Sequence, residues 1–305
     1  MKNQIQLHIQ NKKNAFEGWY YKFVGNNISL AVIVAIVIDN ETSKGLIQIF
    51  DTKTNQKQIK FYPIEQVKYN DDPFSLKIDK NYFTIHSLII DDENFNCKIQ
   101  LQFDSLIELE TTIYRPTIMG PFSYLKNMEC NHGVISVQSQ VHGYIQCSGQ
   151  SRRKVKGIGY QEKDWGTSFP KRYLWLQSNH SKKQSQMMLS VATIDYGIVH
   201  FIGMLGFIYT KKQKYHIGTY YGAKVIKKTK DDHFLYITIK QRKYQFEFII
   251  QKGNETILDG PIQGVMIKPI AECLDGMIKL NIYKNNDLYD SHSFLNCGCE
   301  NIDFI

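Results

Sequence analysis

Three stretches set ionisable side chains among large aromatics: "AFEGWYYKF" (Ala15 to Phe23), "MGPFSYLKNMECNHGVIS" (Met119 to Ser136) and "GYQEKDWGTSFPKRYLWLQSNH" (Gly159 to His180). In the first, Glu17 lies between Phe16 and Trp19. If this segment enters a core, the carboxylate must be hydrogen-bonded or have a raised pKa, and a raised carboxyl is what a general acid needs. The structural alternative is a Glu17 that bonds backbone amides or pairs with Lys22 while the aromatics plug a barrel end. In the third stretch, Glu162 and Asp164 share a face if they lie on one strand. Carboxylates side by side raise each other's pKa and leave one protonated near neutrality. The alternative is a turn from Asp164 through Gly166, with Lys163 or Arg172 neutralising the pair.

The other candidates would bind rather than react. Tyr173, Trp175, Gln177 and Asn179 alternate with Leu174, Leu176 and Ser178, so an aromatic-amide face runs along one side and forms a pocket if it looks into a barrel. Glu129, Asn131 and His132 are candidates to line a cleft. Cys130-x-His132 and Cys297-x-Cys299 lack the spacing of usual zinc pairs, and no metal or other cofactor is expected. Gly157 and Gly159 make a lone GxG without the rest of a dinucleotide fingerprint. No GxSxG elbow, P-loop or HExxH occurs, which disfavours the common hydrolase, nucleotidase and zinc-protease chemistries.

The elements that must position these residues read as strands. "CKIQLQF" sets Cys97, Ile99, Leu101 and Phe103 on one face and Lys98, Gln100 and Gln102 on the other, as a half-buried antiparallel strand requires. "LYITIKQRKYQFEF" repeats the pattern on both sides of a polar turn, a hairpin signature, and "LIQIFDTKTNQKQIKF", "SLKIDKNYFTI" and "MIKLNIYKNNDLYD" follow it. "SLAVIVAIVI" (Ser29 to Ile38) is half the length a membrane-crossing helix needs and is rich in Val and Ile, so it reads as a buried strand. No segment shows three turns of capped helical spacing. The fold class is therefore all-β, with helix confined to short connectors. Sequential hairpins favour meanders closed as barrels, which leave room for one apolar ligand; a β-sandwich is the fallback.

A chain of 305 residues suits two domains. The polar, basic "SGQSRRKVKG" (Ser148 to Gly157) is the best internal boundary, giving domains 1–152 and 153–305, the second carrying the "EKDWG" motif. With 43% hydrophobic and 13% aromatic residues the chain should fold. The start lacks an apolar signal region, and six cysteines without an export signal suggest reduced thiols, so a cytoplasmic location is expected. The formal charge of +8 suits a solvated lysine-rich exterior, or peripheral contact with an anionic membrane. Nucleic acid is not expected as a partner, because the carboxylates in the compact motifs repel phosphate.

Taken together, "FEGWYYK", "MGPFSYLKNMECNHG" and "EKDWGTSFPKRYLWLQSN" resemble the tocopherol cyclase family in order and spacing, from about Phe16 to Asn179, the C-terminal third matching only as a further meander. The resemblance implies a calycin-like fold of two lipocalin-type barrels, related in architecture to carotenoid hydratases. It also implies closure of a prenylated hydroquinol or related isoprenoid lipid to a chromanol, without redox cofactor or metal. The nearest trisubstituted alkene is protonated and the phenolic oxygen captures the tertiary cation. On that reading Glu17 and Glu162 fit the general acid best, and Asp164 ranks below Glu162. Trp19, Tyr20, Trp165 and Trp175 would shield the cation, while Gln177, Asn179, Asn131 or His132 would orient the phenol hydroxyls. A non-catalytic binder of an apolar ligand is the alternative.

Overall fold

The computed structural model describes residues 5–9, 12–40, 42–147 and 150–305. Eleven strands build the first sheet: β1 (Ala15–Gly25), β2 (Ile28–Asp39), β3 (Thr42–Asp51), β4 (Gln58–Pro63), β5 (Val67–Asp71), β6 (Phe74–Ile78), β7 (Asn81–Phe83), β8 (Ser87–Ile90), β9 (Cys97–Ile107), β10 (Cys130–Cys147) and β11 (Arg153–Gly166). The second sheet holds β12 (Tyr173–Ser178), β13 (His180–Ser181), β14 (Gln186–Tyr196), β15 (Val199–Tyr209), β16 (Lys214–Gly218), β17 (Lys224–Lys230), β18 (Leu235–Gln241), β19 (Tyr244–Gln251), β20 (Glu255–Ile262), β21 (Val265–Lys284) and β22 (Asp287–Ile302). Among the described residues, short 3-10 helices at Ile64–Gln66, Gly120–Tyr124 and Thr219–Tyr221 are connectors. The fold is all-β and consists of two lipocalin-like antiparallel barrels, as the hairpin pattern predicts.

The alternation decides which side chains fill each barrel. In β9, Cys97, Ile99, Leu101 and Phe103 are buried while Lys98, Gln100 and Gln102 are exposed. Trp19, Tyr21, Phe23 and their neighbours pack with these residues as one apolar cluster inside the first barrel. The second barrel has an apolar cluster of its own, built from Leu174, Leu176, Ile237, Ile239, Phe246, Phe248 and three cysteines, among others. Turn chemistry matches as well. Asn285 and Asn286 take φ of 53° and 76° between β21 and β22, a left-handed pair that asparagine tolerates and that matches hairpin twist.

The domain boundary near residue 152 is corrected. The chain forms two units, one of Met1–Thr117, Glu129–Phe169 and Asp259–Lys268, the other of Ile118–Met128, Pro170–Leu258 and Pro269–Ile305. The predicted linker "SGQSRRKVKG" begins outside the described residues at 148–149, and from Arg153 it is already β11. That strand lies in the first sheet between β1 and β10, so the "EKDWG" motif belongs to the first unit. Only β11 joins β1 to β10 in that sheet, and the hydrogen bonds of two neighbours hold it there whatever its polar composition. The segment Asp259–Lys268 belongs there too: the Asp259 amide donates to Gln48 Oε1 at 3.0 Å, and Lys57 Nζ lies 2.6 Å from the Asp259 carboxylate.

Candidate functional site

The register of β1, β11 and β10 sorts the motif residues by parity. Tyr20 stands opposite Glu162, Gly18 opposite Asp164 and Lys22 opposite Tyr160 on one side of β11; His132 stands opposite Asp164 on the other. Directly opposed residues share a face and successive residues alternate. Tyr160, Glu162, Asp164, His132, Tyr20 and Lys22 therefore occupy one face, while Gln161, Lys163, Trp165, Glu17 and Trp19 occupy the other, towards the barrel interior.

On the first of these faces the ionisable groups form a chain. The Tyr160 hydroxyl donates to Glu162 Oε2 at 2.6 Å, Glu162 Oε2 lies 3.3 Å from His132 Nε2, and His132 Nδ1 lies 2.6 Å from Asp164 Oδ1. Glu162 and His132 are buried, and the Asp164 side chain is 20% exposed. Burial opposes a charge on His132, but the carboxylates of Asp164 and Glu162 outweigh it and hold the imidazole pKa well above its usual value. Burial, followed by the field of Glu162, keeps the Tyr160 phenol protonated. Burial likewise pushes up the Cys130 thiol, whose Sγ lies 4.0 Å from Asp164 Oδ1. Next to the chain sits an apolar cluster of Phe16, Ala35, Val37 and Leu46, with Cys130, Phe169 and Met266 packed against it. Phe16 and Phe169 meet edge to face at 5.2 Å.

Glu17 is placed elsewhere. Fully buried on the interior face, it forms an ion pair with Lys163 and accepts hydrogen bonds from the His8 and Ile9 amides at 2.7 and 3.2 Å. Its other oxygen lies 3.1 Å from His8 Nδ1, and the His8 ring stacks on Trp165 with centroids 4.4 Å apart. Lys163 Nζ sits over Trp19 at 4.9 Å and over Trp165 at 5.2 Å. Burial lowers the Lys163 pKa against the opposing pull of Glu17. The amide-bonded reading of Glu17 thus holds, with Lys163 rather than Lys22 as partner, because Lys22 has the opposite parity. Glu17 does not join Glu162 and Asp164. Trp19 and Trp165 wall the Glu17–Lys163 pair rather than the Glu162 face.

The remaining candidates divide. Asn131 donates from Nδ2 to the Trp165 carbonyl at 3.2 Å, tying β10 to β11. The Glu129 carbonyl accepts from the Thr167 and Ser168 amides at 2.9 and 3.2 Å. A Cβ at Gly166 would lie 2.2 Å from that oxygen, so only glycine permits this close turn. Tyr173, Trp175 and Gln177 share one face of β12 in the second unit and are buried, as is Asn179 just beyond the strand. They point away from Leu174 and Leu176, hence away from that barrel's core rather than into it. The Tyr173 hydroxyl donates to the Glu300 carboxylate, and Glu300 stands opposite Trp175. Tyr160 and Glu300 were missed from sequence. Tyr160 was legible in the alternation of "YQEKD", whereas nothing local points to Glu300.

His132, Glu162 and Asp164 each offer one donor atom, all within 4.8 Å of one another. Ligands of one zinc-sized ion, each about 2.1 Å from it, stand roughly 3 Å or more apart. The 2.6 Å contact between His132 and Asp164 is instead that of a charge-assisted hydrogen bond. The arrangement suits a buried proton-holding network whose cation lies between two carboxylates.

A family model described as tocopherol cyclase-like matches residues 84–300, more than half of the chain. The chain belongs to this family. The match takes in the His132 and Glu162 motifs and extends through the C-terminal third, which the sequence reading credited only as a meander; "FEGWYYK" lies before it. No curated protein matches at a significant level. Among solved structures, a protein described as AttH from Nitrosomonas europaea is similar at 10% identity and a TM-score of 0.57, covering 96% of each chain. CghA in complex with Sch210972 has a TM-score of 0.59 at 6% identity, covering 95% of this chain and 88% of its own. Kievitone hydratase from Nectria haematococca has a TM-score of 0.51 at 8% identity, covering 98% and 94%. At such identities the likeness concerns the fold. Among the described residues no helix is long and apolar enough to cross a membrane.

Proposed function

We propose that this protein catalyses acid-assisted addition to a carbon–carbon double bond of a prenylated hydroquinol or related isoprenoid lipid, with Glu162 as proton donor. The observation that carries the reading is the Tyr160–Glu162–His132–Asp164 chain beside an apolar cluster. Asp164 holds the imidazole at Nδ1, and the elevated pKa of His132 keeps a proton stored at neutral pH. Nε2 hands that proton to Glu162 as the same carboxyl group delivers one to the less substituted alkene carbon. The tertiary cation is captured by the phenolic oxygen, the C–O bond forms, and the phenol proton returns to the chain. No oxidant or co-reactant is consumed. Tyr20, opposite Glu162, and Phe16 on the same face are aromatic neighbours for the cation.

The membership of the tocopherol cyclase-like family supports this reaction class, and the hydratase among the structural neighbours carries a name that fits the same first step with water as the nucleophile. The test is incubation of purified protein with a prenylated hydroquinol. Chromanol should form, and Glu162→Gln should reduce its rate by about 10²-fold or more. Binding of the hydroquinol without product in the wild-type protein would leave the binder of an apolar ligand as the reading.

A further inference from the structure

In the second unit, β14 and β15 are paired out to Tyr196 and Val199, so the hairpin tip is Gly197–Ile198, with Gly197 at φ +60°. Ile198 is 96% exposed, Val199 53% and Ile202 45%. Beside this tip runs the segment Ile118–Met128 of the same unit. It is fastened by the Tyr196 hydroxyl, which donates to the Lys126 carbonyl at 3.0 Å, and by the Phe122 ring 5.9 Å from that of Phe201. Leu125 on that segment is 37% exposed. An isolated exposed apolar residue is ordinary; adjacent Ile198 and Val199 on one tip, held by a packed base that carries Leu125, mark an interaction surface.

The surrounding charge selects the partner. Lys126 and Arg172 are exposed; Lys126 is held at the base of the tip by Tyr196, and Arg172, just before β12, lies beside β14, where its carbonyl accepts from the Thr193 amide. The Lys171 side chain is 82% exposed and lies 3.6 Å from Asp195, which also contacts His200. The side chains of Lys126, Lys171 and Arg172 outnumber the carboxylate of Asp195. Apolar side chains at a tip, with cations along its stem, complement an anionic lipid surface: the tip enters the headgroup boundary and the cations meet the phosphates.

We infer that the β14–β15 tip docks this protein on anionic bilayers, with Ile198 and Val199 entering the interface. Such docking gives access to a lipid substrate, but it does not depend on the reaction proposed above, since vesicles without hydroquinol suffice to test it. The experiment is co-sedimentation of the full chain with vesicles of phosphatidylcholine alone and of phosphatidylcholine mixed with phosphatidylglycerol. The wild-type protein should sediment with the mixed vesicles and release in high salt. The double variant I198D/V199D, at solvent-facing positions, should bind them about ten-fold or more weakly, and K126E/R172E should lose the preference for anionic vesicles. Equal sedimentation of wild type and both variants, or no sedimentation at all, would overturn the inference. So would concentration-dependent dimerisation of the wild type that I198D/V199D abolishes, because a second copy would then be the partner of the tip.

Discussion

At the scale of residues, parity places two buried carboxylates in neighbouring strands, Glu17 and Glu162, on opposite faces of the sheet. Glu17 faces the barrel interior, where Lys163 neutralises it and two amides bond it, so it fastens structure. Removing one partner of such a pair strands a charge, so Glu17→Ala or Lys163→Ala should each destabilise by about 3–5 kcal/mol in urea denaturation, and replacing both by apolar residues should cost less than either. Additive losses in the double variant would contradict this. His132 faces the other way, and its pKa is raised above that of the unfolded chain. Its contribution to stability is fully present below about pH 6.5 and is lost as pH rises through the elevated folded value. His132→Asn should therefore be most destabilising in acid and neutral solution, with the difference from wild type shrinking at alkaline pH. A difference that grows with pH would exclude a stored proton.

At the scale of elements, β11 presents Tyr160, Glu162 and Asp164 on one face and Gln161, Lys163 and Trp165 on the other, between β1 and β10. The turn after it depends on Gly166. Gly166→Ala should push the Glu129 carbonyl away, weaken the bonds from Thr167 and Ser168, and reduce activity along with stability; unchanged thermal unfolding would show that the turn tolerates a side chain. Strands and faces were legible in the sequence because period-two alternation is local: the shared face of Glu162 and Asp164 followed from it, as did the core face of β9. The partners were not legible. Pairing of Glu17 with Lys163 needs the register between strands far apart in sequence, and no local pattern encodes that. For the same reason the tryptophans looked like one wall with the acids, although Trp19 and Trp165 stand on the other side of the sheet.

At the scale of the whole molecule, the polar composition of "SGQSRRKVKG" suggested a linker, yet it leads into the strand that joins the two parts of the first sheet. A fragment ending at residue 152 would leave β1 and β10 with unpaired edges, so it should not unfold cooperatively in denaturant; a sharp two-state transition would restore the boundary at 152. Membership of the tocopherol cyclase-like family is consistent with the proposed reaction class, and the proton chain on β10 and β11 carries the group proposed to act. The most direct measurement is turnover of a prenylated hydroquinol in deuterium oxide. The wild-type protein should yield chromanol carrying one deuterium on the carbon next to the new C–O-bearing centre, and Glu162→Gln should yield it about 10²-fold or more slowly. Labelled chromanol formed by Glu162→Gln at the wild-type rate would contradict Glu162 as the proton donor.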